Sequence, residues 1–133
     1  MYKIIKKRNL SDNIAEYVVE APLVTERCMP GQFIILRVDK DGERIPLTIA
    51  DFDREKGHVT ILVQSIGYST MKLAKLEEGD FIEDFSGPLG NATDLTGFKR
   101  LLLVAGGIGS AVVLPQLKYL KTYTDAYADV ILG

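Results

Sequence analysis

Cysteine and histidine are almost missing from this sequence, and each shortage removes a class of chemistry. A single cysteine, Cys28, among 133 residues excludes an internal disulfide and a cysteine-rich metal cluster within this stretch. It stands before "MPG" with no second thiol and no activating base, so it reads as an inert side chain. The one histidine, His58, follows the turn "REKG" without a partner and reads as an exposed turn residue. Neither sign of charge dominates: 16 Lys and Arg face 18 Asp and Glu, a net charge of −2. The cations are dispersed among acids, so no basic stripe is offered to nucleic acid. Long hydrophobic runs are lacking too. The longest uncharged stretch, Leu101–Leu117, has 17 residues and is rich in glycine, short of the ~20 that span a bilayer. The start, "MYKIIKKRNL", is too charged for a signal peptide. The expectation is a cytoplasmic chain with no membrane partner.

What is present is an ordinary globular balance, 47% apolar and 26% charged. The first ninety-odd residues punctuate as short strands: "YKIIKK" and "IAEYVVE" around the turn "NLSDN", "QFIILRV" after "MPG", "RIPLTIA" after "DKDGE", and "HVTILVQ" after "REKG". Short strands with a turn about every ten residues predict a small antiparallel barrel or sandwich. One helix interrupts them, "STMKLAKLEEG", with Ser69 as N-cap and Gly79 as its stop. "DFIEDFSGPLG" then returns to strand. The acids Glu77, Glu78, Asp80, Glu83 and Asp84 read as a solvated face.

From residue 98 the pattern changes. "RLLLVAGGIG" is an apolar strand entering a glycine turn, "SAVVLPQLKYLKTY" a helix that Pro115 should kink, and "ADVILG" a second apolar strand. Strands apolar on both faces and joined through a helix predict a buried parallel β-α-β unit. The expected division is a β domain over 1–97 and the first fragment of an α/β domain over 98–133. With one helix to cover two faces, the second unit is expected to self-associate or to be poorly ordered.

"RIPLTIAD" holds the oddest strand. Alternation puts Arg44, Pro46 and Thr48 on one face and Ile45, Leu47 and Ile49 on the other. The first set offers a cation, a stiff apolar plate and a hydroxyl along roughly 13 Å at ~3.3 Å per residue. Pro46 fits where no neighbouring strand needs its N–H. Taken alone, the strand reads as an exposed edge. "SIGYSTMKL" adds Gly67 before a helix opening with Ser69 and Thr70, a combination that also accommodates phosphate. A cation and such a turn in one small barrel are what a diphosphate requires.

"RIPLTIAD", "HVTILVQSIGYSTMKL", "EGDFIEDFSGPLG" and "LLLVAGGIG", in that order, resemble the ferredoxin–NADP reductase superfamily. The resemblance covers essentially the whole chain. It is nearest to the branch holding the small subunit of NADH-dependent ferredoxin:NADP oxidoreductase, also called sulfide dehydrogenase subunit beta. The electron-transfer subunit of dihydroorotate dehydrogenase is a near relative. It implies a mainly β fold: an antiparallel Greek-key barrel that binds FAD, then the start of an NAD(P)-binding α/β domain. It implies that Arg44 pairs with the FAD diphosphate, that Pro46 and Leu47 lie along the isoalloxazine, and that Thr48 hydrogen-bonds its N5/O4 edge. Leu62, Val63 and Gln64 would line the ribityl and adenosine side. Gly67, Ser69 and Thr70 would hold the diphosphate from the other flank. Gly106, Gly107 and Gly109 resemble the NAD(P) diphosphate turn.

The implied activity is NAD(P)H-linked electron transfer through flavin to a larger iron–sulfur flavoprotein subunit or a ferredoxin. In the family a [2Fe–2S] cluster is held by cysteines beyond this region, so neither that cluster nor the nicotinamide pocket is assigned here, and the isolated stretch is expected to lack NAD(P)H-driven activity. No residue is expected to act as general acid, base or nucleophile, and no metal ligand is expected. Other readings are an electron-transfer subunit for dihydroorotate oxidation and a cofactor-free barrel acting as an adaptor.

Overall fold

Alternation builds the first sheet. Along β2 (Ile14–Glu20) and β5 (His58–Gln64), the residues Ala15, Tyr17, Val19, Val59, Ile61 and Val63 are buried, and those between them face outward. That is the period of a strand with one wet face. The computed structural model describes residues 1–133 and adds β1 (Tyr2–Asn9), β3 (Phe33–Arg37), β4 (Arg44–Asp53), β6 (Phe81–Ile82) and β7 (Asp84–Leu89). All pairings among these seven are antiparallel, in the order β6-β1-β2-β5-β4-β3-β7. Strands β3, β4 and β5 follow one another as hairpins, and β2 lies beside β5 by a long connection, which is a Greek key.

The segment "DFIEDFSGPLG", expected as one strand, divides at Glu83. β6 pairs with β1, and β7 pairs with β3. The two halves thus fasten opposite edges of the sheet and nearly close it into a barrel. Its core holds 17 buried residues, with Tyr17, Ile34, Leu36, Leu73 and Phe85 among the largest. Cys28 is fully buried there, and burial pushes its thiol up to about 11. His58 opens β5 opposite Glu20 and Asp53 rather than sitting in a turn.

Two helices belong to this layer, where one was expected. The short α1 (Pro22–Thr25) was missed although Pro22 at its first position is a start signal. In α2 (Tyr68–Leu73) the cap is Gly67, not Ser69. The Thr70 hydroxyl accepts the N–H of Ile66 and Gly67 at 3.1 and 3.0 Å, so the frame begins two residues earlier. After Leu73 the chain tightens, Lys75 and Leu76 N–H donating three residues back to Lys72 and Leu73 O, and barrel side chains help satisfy the last carbonyls. Tyr17 Oη donates to Leu73 O at 3.1 Å, and Lys7 Nζ to Ala74 O at 2.7 Å.

A second sheet pairs β8 (Arg100–Ala105) in parallel with β9 (Tyr127–Leu132). Between them run a 3-10 helix, Gly107–Val112, and α3 (Val113–Tyr123). Leu95, Leu103, Val113 and Leu120 form a separate small core, so packing of this unit starts three residues before residue 98. Pro115, expected inside the helical pattern, lies in the first turn of α3. The α-helix proper begins at Val113, and a proline in its first turn removes an N–H that has no partner anyway. Helix α3 covers one face only, leaving Leu102 and Val104 on the other face 60% and 69% exposed. No helix is long and apolar enough to cross a membrane.

Candidate functional site

The site begins where β4 parts from β5. The two strands pair from Asp53↔His58 to Ile49↔Ile61, with a register shift between Ile49 and Asp51. Such a bulge bends its strand, and residues 44–48 pair only with β3. The Ile49 N–H donates to Gln32 O at 3.2 Å. Hydrogen-bonded and open pairs alternate along an antiparallel ladder, so the backbone groups of Arg44, Pro46 and Thr48 point away from β3. Pro46 therefore lacks its donor on the open side, where no strand asks for one.

The facing edge of β5 is open by the same reasoning. Ser65 N–H donates to Asn13 O at 2.8 Å, so Val63 turns its backbone toward β2, while Leu62 and Gln64 turn theirs into the gap. Val63 was expected in the lining. Its side chain is buried in the barrel core and its backbone is spent on β2, and of the three residues Leu62, Val63 and Gln64 only Leu62 lines the cleft.

This gap is a cleft of about 240 Å³ lined by Pro46, Leu47, Thr48, Leu62, Ile108, Gly109, Ala111 and Val112. One wall is the barrel and the other is the glycine turn of the second unit. Gly107 has φ +54°, and its N–H donates to Gly133 O at 3.1 Å. Gly106 caps the 3-10 helix in extended backbone. The contributions of Ile108, Ala111 and Val112 were missed. They sit in an apolar run that reads as helix core until the tertiary fold lays it across β4. A carboxylate bond, Lys118 Nζ to Asp51 Oδ2 at 2.6 Å, ties α3 to β4 beside the cleft.

At the far end of β4 lie the charges. Arg44 is 61% exposed at its side chain and stands 3.7 Å from Asp84 Oδ2. Arg37 holds the same carboxylate far more closely, at 2.6 and 2.7 Å. Asp84 is thus an anchor for two guanidinium groups and not only part of a solvated face. The start of α2 comes to this end: Ser69, 9% exposed, donates its hydroxyl to Glu43 Oε2 at 2.7 Å. Thr70 spends its hydroxyl on the turn, where it also donates to Gly67 O at 3.0 Å. Gly67 is extended at φ −143°, and a Cβ added there would meet nothing within 4 Å. No neighbouring atom fills the space a side chain would take at that position, so the backbone there is open to close approach.

The family model for the oxidoreductase FAD-binding domain matches residues 1–93. The chain belongs to this family. It is 49% identical over its whole length to the protein of the adh 3′ region of Clostridium beijerinckii, covering 47% of that protein. It is 39% identical over 90% of its length to the dihydroorotate dehydrogenase B (NAD(+)) electron transfer subunit homolog of Thermotoga maritima, covering 42% of that protein. Among solved structures, an NADH-dependent reduced ferredoxin–NADP oxidoreductase superposes with a TM-score of 0.90 at 36% identity, over 99% of this chain and 47% of the other. Phthalate dioxygenase reductase superposes with a TM-score of 0.84 at 22% identity, a likeness of fold. The chain spans about half the length of the relatives it matches.

The residues of this FAD-binding domain suit the dinucleotide. A flat aromatic ring placed in the cleft would meet the apolar side chains of Pro46, Leu47 and Leu62 and the hydroxyl of Thr48. A diphosphate at the far end of β4 would meet the planar cation of Arg44 and the open backbone at Gly67, with the Ser69 hydroxyl held by Glu43.

Proposed function

We propose that the chain binds FAD with the ring in the β4–β5 cleft and the diphosphate between Arg44 and the Gly67–Thr70 turn, as the flavin unit of an NAD(P)H-linked electron-transfer oxidoreductase. When bound, FAD supplies the chemistry that couples two-electron and one-electron transfer. The observation that carries this reading is the gap itself, where two antiparallel strands part and Pro46, Thr48 and Leu62 line the opening.

Each side chain then has a stated task. Arg44 neutralises the diphosphate with a fork that matches phosphate geometry. Thr48 offers its hydroxyl to the polar N5/O4 edge of the ring. Pro46, Leu47 and Leu62 exclude water from its apolar part, while the backbone of Leu62 and Gln64 orients the rest. No side chain acts as general acid, base or nucleophile. Gly106, Gly107 and Gly109, beside the same cleft, form the start of the NAD(P) site in the α/β unit over 98–133. The electron acceptor is an iron–sulfur flavoprotein subunit or a ferredoxin, and the [2Fe–2S] ligands belong to the length the relatives have beyond this chain. Service as an electron-transfer subunit for dihydroorotate oxidation uses the same site, and the likeness to the Thermotoga protein favours keeping it as the second reading.

Titration with FAD, FMN and riboflavin tests the assignment. The expected order is FAD tightest, at a low-micromolar dissociation constant or below, then FMN, then riboflavin. Equal affinity for FAD and FMN removes the diphosphate clamp from the proposal. A purified chain with no visible flavin absorption after incubation with FAD leaves the adaptor reading in its place.

A further inference from the structure

We infer that Glu43 is a placeholder anion, which occupies the Ser69 hydroxyl until a diphosphate displaces it, and so sets how tightly the clamp holds a dinucleotide. The inference deepens the FAD reading and rests on it.

Three cations stand at this end of the barrel, Arg37, Arg44 and Lys72, and three carboxylates make contacts there, Asp84, Asp39 and Glu43, with Asp41 also near Lys72. The cations are therefore already matched by carboxylates, and an arriving diphosphate must displace one or sit against one. The three acids are not equally free to leave. Asp84 is fixed by Arg37 through two close contacts, and Asp39 is paired with Lys72 on α2. Glu43 alone holds a neutral partner, the Ser69 hydroxyl. It also lies outside the ladder, between the Asp39–Gly42 turn and the first residue of β4, and it is exposed. A carboxylate bound to a hydroxyl loses less by swinging into water than one bound to a guanidinium. Ser69 is nine-tenths buried, so its one hydroxyl proton has room for few acceptors, and Glu43 and the ligand's phosphate oxygen compete for it. Arg44 needs no rearrangement of Asp84 to turn toward the ligand, because its own contact is the long one at 3.7 Å.

The test compares Glu43→Gln and Glu43→Ala with the unaltered chain, by titration with FAD and with riboflavin, alongside thermal unfolding. Glutamine keeps an acceptor for Ser69 and removes the charge. It should tighten FAD about three- to tenfold, the scale of one partly screened like-charge contact. Riboflavin, which has no phosphate, should bind as before. Glu43→Ala, which frees Ser69 outright, should also tighten FAD. Unchanged or weaker FAD binding by Glu43→Gln at unchanged unfolding temperature overturns the inference. So does weaker FAD binding by Glu43→Ala, because Glu43 would then be a support that aims Ser69. Failure of the FAD reading looks different: the unaltered chain itself would bind FAD no better than riboflavin.

Discussion

Replacing Gly67 with alanine separates what the fold needs from what the ligand needs. The added Cβ meets nothing within 4 Å, and φ is −143°, so no clash and no backbone strain follow. Two smaller effects remain, of opposite sign. Alanine restricts the unfolded chain, worth about 0.4–1 kcal/mol in favour of folding. Alanine is also a poorer helix cap than glycine, which costs about as much at the start of α2. They offset to within about 0.5 kcal/mol. With an unfolding entropy of about 2.1 cal/mol/K per residue over 133 residues, that shifts the melting temperature by no more than about 2 °C. Gly31 supplies the contrast. There φ is +93° and a Cβ would lie 2.1 Å from Thr93 Oγ1, so Gly31→Ala should cost more than about 2 kcal/mol and several degrees. For Gly67→Ala the loss should fall on FAD instead. A methyl where the backbone is approached costs at least one hydrogen bond, about 1 kcal/mol or a fivefold rise in dissociation constant. Thermal melts followed by a flavin fluorescence titration measure both quantities on one sample. FAD affinity kept within about twofold, at an unchanged melting temperature, would refute the reasoning and leave Gly67 without a ligand role.

Arg44→Lys keeps the charge and loses the fork, so FAD should bind about 1–2 kcal/mol more weakly while the fold survives; an unchanged titration returns Arg44 to the role of an exposed edge residue. Cys28, fully buried with its thiol pushed up to about 11 by burial, stays protonated at pH 8. Iodoacetamide should leave it unmodified in the native chain and alkylate it in urea, as intact-mass measurement will report; native labelling would mean that the barrel core opens readily. Leu102 and Val104 lie exposed on the face of the parallel pair that α3 does not cover. The 133-residue chain should associate as concentration rises, and Leu102→Lys with Val104→Lys should hold it monomeric in light scattering. A chain that is monomeric at every concentration without those lysines would count against this.

Much of the barrel was legible residue by residue, because strands with one wet face write their pattern into sequence at a period of two. "IAEYVVE" and "HVTILVQ" announce both their burial and their register partners' facing, and Arg44, Pro46 and Thr48 declare by the same period that they share a face. The glycine turn at Gly106–Gly109 was legible too, because Gly107 takes a positive φ that few other residues tolerate. Chain-distant facts were not written there. Only the fold divides "DFIEDFSGPLG" at Glu83, because two opposite sheet edges compete for its hydrogen bonds. Only the fold brings Tyr17 and Lys7, more than fifty residues away, to the last carbonyls of α2. The same holds at the site. Val63 belongs to the core and not to the cleft because strand pairing with β2 consumes its backbone. Ile108, Ala111 and Val112 join the cleft because packing sets the second unit across β4. Glu43 meets Ser69 because the sheet's curvature brings residues 26 positions apart within a hydrogen bond. Local side-chain chemistry determined which cations, hydroxyls and apolar plates the barrel carries; the closure of the barrel decided which of them face one another.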